Sequence, residues 1–315
     1  MEITKRIAWI DVAKGILIFL VVLGHSPISE CERNIINSFH MAAFFVCSGY
    51  TFHFRGGYLT YIKKKVVGIL LPYLEFSIIL LFFFFLKYFF LHSGNFDFLD
   101  GICSIFIPIS GKPTTSVYAL WFLPCLFLAE AFIGTILKLR KHFSSWLLLL
   151  FIIACVGLSL YSYYGLGIAS IVSVFPIAAF FIVLGIWLKE HLLSHNIRIC
   201  FLSCIILILF TYINVNLLGN NVDMSSMSWG NIPIYVLCGF VGSIMIICIS
   251  NYLTHIPLLQ GLGRNSLYFY GLHYCSLPFV ANLFDMEGIV CALITLIITY
   301  PLVLVVRKTR QITHL

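Results

Sequence analysis

The sequence predicts an all-α polytopic integral membrane protein of about ten transmembrane helices, a single transmembrane domain over residues 1–315 with both termini cytoplasmic. Three observations lead there. Apolar residues make up 61% of the chain and charged ones only 10%, too little polar surface for a soluble fold. Uncharged runs of about 20 residues, the length that crosses a bilayer, recur from end to end. Lysine and arginine also segregate to alternate loops, as they do when one orientation is fixed.

The spans fall at about 7–25, 35–54, 66–91, 118–137, 145–164, 167–188, 198–218, 232–250, 266–284 and 288–306. The first is apolar yet carries Asp11, Lys14 and His25. At roughly 100° per residue, Lys14 and His25 lie about 20° apart on the helix, and roughly 16 Å apart along its axis. Asp11 stands three residues before Lys14, on the same side. The run is too long and too studded with polar groups for a removable leader. The second span holds Ser48-Gly49, small residues that permit close helix approach. The third follows Lys63-Lys64-Lys65 and contains Pro72. The fourth contains Trp121-Phe122-Leu123-Pro124 and Glu130. Only Tyr163, Tyr164, Gly165 and their neighbours divide the fifth from the sixth. The seventh and eighth flank a polar loop, 219–231. The ninth starts at Ser266, a residue type that caps helices, and contains His273; Arg307 follows the tenth.

With the N-terminus inside, fifteen of the 19 basic residues fall on cytoplasmic segments. Three (Arg33, Lys87, Lys112) fall outside, and Lys14 lies within the membrane. The net charge of +7 is accounted for by this asymmetry and requires no nucleic-acid partner. Eleven cysteines include no C-x-x-C pair and sit mostly in apolar runs, which supports neither a zinc site nor a disulfide framework.

Ionisable groups at membrane depth are costly and face a bundle interior or a wet path. Asp11, Lys14 and His25 therefore read as the wall of such a path, with two roles open for each. His25 is either a general base for a sugar hydroxyl or an interfacial histidine bonded to a loop carbonyl. Lys14 either pairs with Asp11 at the inner interface or stabilises an anionic ligand. The run Lys63–Lys65 anchors the helix at the headgroups, docks a phosphorylated cytosolic donor, or does both. Ser48 as a nucleophile lacks an orienting base in the local sequence. Glu130, a buried acid that needs a partner, and His273, seven residues into its span, are candidates for a cavity wall.

Several segments then coincide, in order, with one known family. Asp11-Val-Ala-Lys14-Gly…Leu-Gly-His25, Phe44-Phe45-Val-Cys-Ser48-Gly49-Tyr50, Lys65…Pro72-Tyr73, Leu120-Trp121-Phe122-Leu123-Pro124 and Leu262-Gly263-Arg264-Asn265-Ser266-Leu267…Tyr270…His273 resemble the motifs of the membrane-bound acyltransferase-3 family. Within it the chain looks most like the fucose 4-O-acetylase-type surface-sugar acetyltransferases. The resemblance implies a cytosolic donor, acetyl-CoA or another acyl-CoA, and an acceptor hydroxyl on an extracytoplasmic glycan or lipid-linked sugar. It implies catalysis by His25, with Asp11 beside it in the same motif, in a multi-pass protein of the bacterial inner membrane. Lys14, Lys64 and Lys65 would bind the donor, and Ser48, Trp121, Glu130 and His273 would line the substrate cavity. The family's third-helix basic pair falls on Lys65 and Gly68, so its second charge is missing, and lysine does not reproduce a bidentate guanidinium contact. No permanently bound cofactor and no metal are required, since a base and polar stabilisation suffice for acyl transfer from a thioester.

The competing class is a transporter of a polar solute or glycan precursor, whose path would use the same intramembrane Asp11, Lys14, Glu130 and His273. Paired Gly/Pro-interrupted spans in two matching halves, the usual transporter sign, are not found. A non-catalytic scaffold leaves the polar stripe without a purpose.

Overall fold

The computed structural model describes residues 7–54, 56–91, 97–106, 119–139, 171–191, 196–283 and 285–313. The predicted fifth span and most of the loop 92–117 lie outside them. The elements are α1 (Ala8–His25), α2 (Glu30–Asn37), α3 (His40–Tyr50), α4 (Tyr58–Lys65), α5 (Leu71–Leu91), α6 (Phe98–Phe106) and α7 (Phe122–Leu139). There follow α8 (Ile171–His191), α9 (Ile197–Tyr212), α10 (Ile232–Tyr252), α11 (Pro257–Arg264), α12 (Ser266–Leu272), α13 (Leu277–Leu283) and α14 (Gly288–Thr313). No strand occurs among the described residues, only an isolated bridge between Asp223 and Ser228. Six helices there are long and apolar enough to cross a membrane: Ala8–His25, Tyr58–Phe90, Ile171–His191, Ile197–Leu217, Ile232–Tyr252 and Gly288–Gln311.

Three predicted spans differ from the helices observed. The second is two helices, because Ser29 and Glu32 form a reciprocal capping box that starts α2 at Glu30. It breaks at Ser38, whose hydroxyl donates back to the Asn34 carbonyl. The third begins earlier, at Tyr58, so Lys63–Lys65 lie inside the helix rather than ahead of it. A π-helical turn, Val66–Leu70, then joins α4 to α5. Pro72 supplies a cause: a proline ring clashes with the carbonyl four residues back, here that of Gly68, and a widened turn relieves the clash. The ninth is three short pieces, with a 3-10 turn, His273–Cys275, between α12 and α13. Its first helix is flanked by Asn265, and no side-chain cap forms, so Ser266 does not take the capping role expected of it.

The chain divides into two compact units: Met1–Cys47, His191–Val222 and Trp229–Leu315 make the first, Ser48–Glu190 and Asp223–Ser228 the second. In the first, α1 is the central element, packed on α10, α11 and α14. Two glycines let α11 lie directly on its backbone. A Cβ at Gly15 would strike the Leu259 carbonyl, and one at Gly263 the Asp11 carbonyl. The loop into α10 is held by Asn214, which donates to the Trp229 carbonyl at 3.1 Å and accepts from the Asn231 amide at 2.8 Å. Asn34 of α2 accepts from the Val222 amide at 2.8 Å, so asparagines of the flanking helical segments hold the polar loop in place.

The second unit is built on equally close contacts. Gly49 lies against the Ile182 carbonyl of α8, the packing role expected for it, and Gly134 of α7 lies under the Tyr61 ring. The Tyr73 hydroxyl donates to the Ile105 carbonyl at 2.7 Å, which ties α5 to α6.

Candidate functional site

His25 owes its position to the residue two places on. Pro27 disfavours helical backbone at Ser26, which turns extended (ψ 163°), so α1 ends on the imidazole. The following segment is pinned on both sides. The Gly288 amide donates to the Pro27 carbonyl at 2.8 Å, and Arg33 donates to the Ser26 carbonyl at 3.3 Å. The buried Ser26 hydroxyl returns to the Val22 carbonyl at 2.9 Å. His25 itself is exposed.

The broken ninth segment brings two rings to it. His273 stacks on His25 with centroids 5.4 Å apart, and the Tyr274 hydroxyl lies 2.8 Å from Nδ1 of His25. His273 is fully buried. Its Nδ1 lies 2.8 Å from the Tyr270 carbonyl and 3.2 Å from that of Phe269. Carbonyls only accept, so Nδ1 carries the hydrogen and, in the neutral ring, Nε2 keeps its lone pair. That Nε2 is buried without a hydrogen-bond partner. The turn bearing both residues is fixed by Ser276, whose hydroxyl meets the Thr299 hydroxyl of α14 at 2.5 Å. Tyr274 is the residue that sequence reasoning missed: its partner lies 249 positions away, and no local pattern marks it.

At the other end of α1, Asp11 is buried and pairs with Arg264 of α11 at 3.4 Å. Arg264 also donates to Gln260 at 2.8 Å. Fourteen residues separate Asp11 from His25, roughly 21 Å along the axis, so this carboxylate does not orient the imidazole. Lys14 is half-buried, and the ion pair to Asp11 considered for it is not formed. Lys14 has no hydrogen-bond or ion-pair partner among the described residues.

In the second unit the structure brings Ser48, Lys65 and Glu130 together. Ser48 Oγ donates to Glu130 Oε1 at 2.6 Å, and Lys65 Nζ reaches Oε2 at 2.5 Å. The acid next to Ser48 was thus invisible locally, being 82 residues away. Glu130 is 2% exposed, and its partner is the cation predicted to hold a donor phosphate. Lys65 also lies over the Phe52 and Tyr61 rings. Lys63 and Lys64 are exposed, and Trp121 is buried edge-on against Phe122. No group of three or more His, Cys, Asp or Glu side chains able to hold a metal ion occurs among the described residues.

All-helical among the described residues, with six helices there long and apolar enough to cross a membrane, the chain is a multi-pass membrane protein. A family model described as an acyltransferase domain matches residues 7–307, and the chain belongs to this acyltransferase-3 family: it is a membrane acyltransferase. No curated protein and no solved structure matches the chain.

Proposed function

We propose that the protein transfers an acetyl group from cytosolic acetyl-CoA to a hydroxyl of an envelope glycan or its lipid-linked precursor, in the manner of surface-sugar O-acetyltransferases. The observation that carries this reading is His25: one ring nitrogen is engaged by Tyr274, and the other meets no hydrogen-bond partner among the described residues. In this reading Nε2 takes the proton of the acceptor hydroxyl while the oxygen attacks the thioester carbonyl carbon. The C–S bond breaks, and the departing thiolate takes the proton back from the imidazolium, leaving ester and free thiol. Lys14, a half-buried ammonium without an ion-pair partner among the described residues, suits an anionic portion of the donor. Of the lysine run, the exposed Lys64 remains free for donor phosphates, whereas Lys65 is engaged by Glu130. The charge asymmetry supports cytoplasmic termini in a bacterial inner membrane, with acceptor chemistry on the opposite face. Nothing in the family match favours a transporter.

Inverted membrane vesicles given radiolabelled acetyl-CoA test the proposal. Label is expected to enter lipid-linked or polymeric sugar with the wild type, and to fall by about 10²-fold or more with His25→Ala at matched expression. Absence of transfer by the wild type, with native glycan present, removes the acetyl-CoA reading. Full activity in the variant removes His25 as base.

A further inference from the structure

We propose that Tyr274 is the positioning residue of the transfer site: its hydroxyl oxygen accepts a hydrogen bond from Nδ1–H of His25 and fixes the tautomer whose Nε2 lone pair faces the acceptor. The inference rests on the acyl-transfer reading of His25. A neutral imidazole carries one hydrogen, and the partner of one nitrogen decides the state of the other. A phenol both donates and accepts, so the 2.8 Å contact alone is compatible with either tautomer.

The surroundings make the choice. Were Tyr274 the donor, Nε2 of His25 would hold the hydrogen and present no lone pair. The neighbouring His273 could not substitute, because its own Nε2 is buried and the ring is fully covered. Among the described residues the site then offers no accessible imidazole lone pair. With Nδ1–H donated to Tyr274, His25 presents its lone pair, and the hydrogen bond persists when the ring becomes an imidazolium. No proton passes to the phenol at any step. No carboxylate pairs with His25 among the described residues, so a neutral oxygen fills the place that an acid often takes beside a catalytic histidine. At a membrane boundary this orients the ring without desolvating another charge. Tyr274 can do so because its 3-10 turn is tied to α14 through Ser276 and Thr299, and because its ring is braced by His273 at 4.6 Å.

Protein labelled with ¹⁵N-histidine provides the test, read at about pH 8.5, where imidazoles are neutral. The His25 signals are identified by their loss in His25→Gln. The wild type is expected to show His25 with the hydrogen on Nδ1, and Tyr274→Phe to shift it to Nε2. The same variant is expected to lose about tenfold or more in kcat, with the KM for acetyl-CoA within about twofold of wild type. A hydrogen on Nε2 in the wild type, an unchanged tautomer in Tyr274→Phe, or an undiminished kcat overturns the proposal. Should Tyr274→Phe fail to fold, the wild-type spectrum decides alone. Absence of acetyl transfer together with a Tyr274-dependent Nδ1–H counts against the substrate reading and leaves the positioning role standing.

Discussion

At the scale of single residues, the decisive interactions are those that neutralise or orient a polar group among apolar neighbours. Glu130 is the strongest case, since its carboxylate is buried between Ser48 and Lys65. Removing the cation leaves a buried charge unpaired, which costs about 3–5 kcal/mol. Thermal unfolding in detergent should therefore show a large loss for Lys65→Ala, and much of it recovered in Lys65→Met combined with Glu130→Gln. Lys63→Ala, two residues away, on another face of the helix and exposed, should change stability by no more than about 0.5 kcal/mol. Equal effects at the two lysines would refute the pairing. The candidate residues Asp11, Lys14, His25, Glu130 and His273 were legible because ionisable groups stand out against apolar runs. Their partners were not. Arg264 reaches Asp11 across 253 positions, so the pairing with nearby Lys14, natural from spacing, could not be weighed against it.

At the scale of elements, the contact of α1 with α11 is made by backbone rather than side chains. An added Cβ at Gly263 meets the Asp11 carbonyl, and neither chain segment can yield without parting the helices. Gly263→Ala should cost about 1–3 kcal/mol, the usual penalty of overpacking, and should loosen the pair between Asp11 and Arg264. Gly261→Ala in the same helix, where a Cβ meets nothing within 4 Å, should leave stability unchanged or raise it by up to about 1 kcal/mol. Unfolding midpoints of the two variants that coincide would count against this packing. The helices that appeared where expected, such as Ala8–His25 and Ile232–Tyr252, are long apolar runs with clear ends. Those that moved did so for reasons of unequal visibility. The capping box at Ser29 and Glu32 stood in the sequence, but composition drew the start of the span further along. The break at Ser276 depends on Thr295 and Thr299 of another helix, which no local pattern announces.

At the scale of the molecule, orientation follows from the charge asymmetry alone. A variant retaining only Cys31, which is exposed on α2, should react with an impermeant maleimide added outside spheroplasts. Arg310→Cys in a cysteine-free background should react only after permeabilisation. The reverse pattern would invert the topology. Hydropathy revealed a polytopic bundle, yet could not reveal which distant segments pair, because lipid-facing and protein-facing helices are equally apolar. That distance has a consequence in time. The partners that cover α1 reside some 250 residues downstream: Arg264 for Asp11, Gly263 for the Asp11 backbone, Tyr274 for His25. At about 5–20 residues per second, synthesis leaves the first helix without them for roughly 12–50 s. During that interval Asp11 and His25 stand without these particular partners. The earliest segment to be made is thus the last to be completed, and whatever escorts nascent helices into the bilayer must hold this one until the far end arrives.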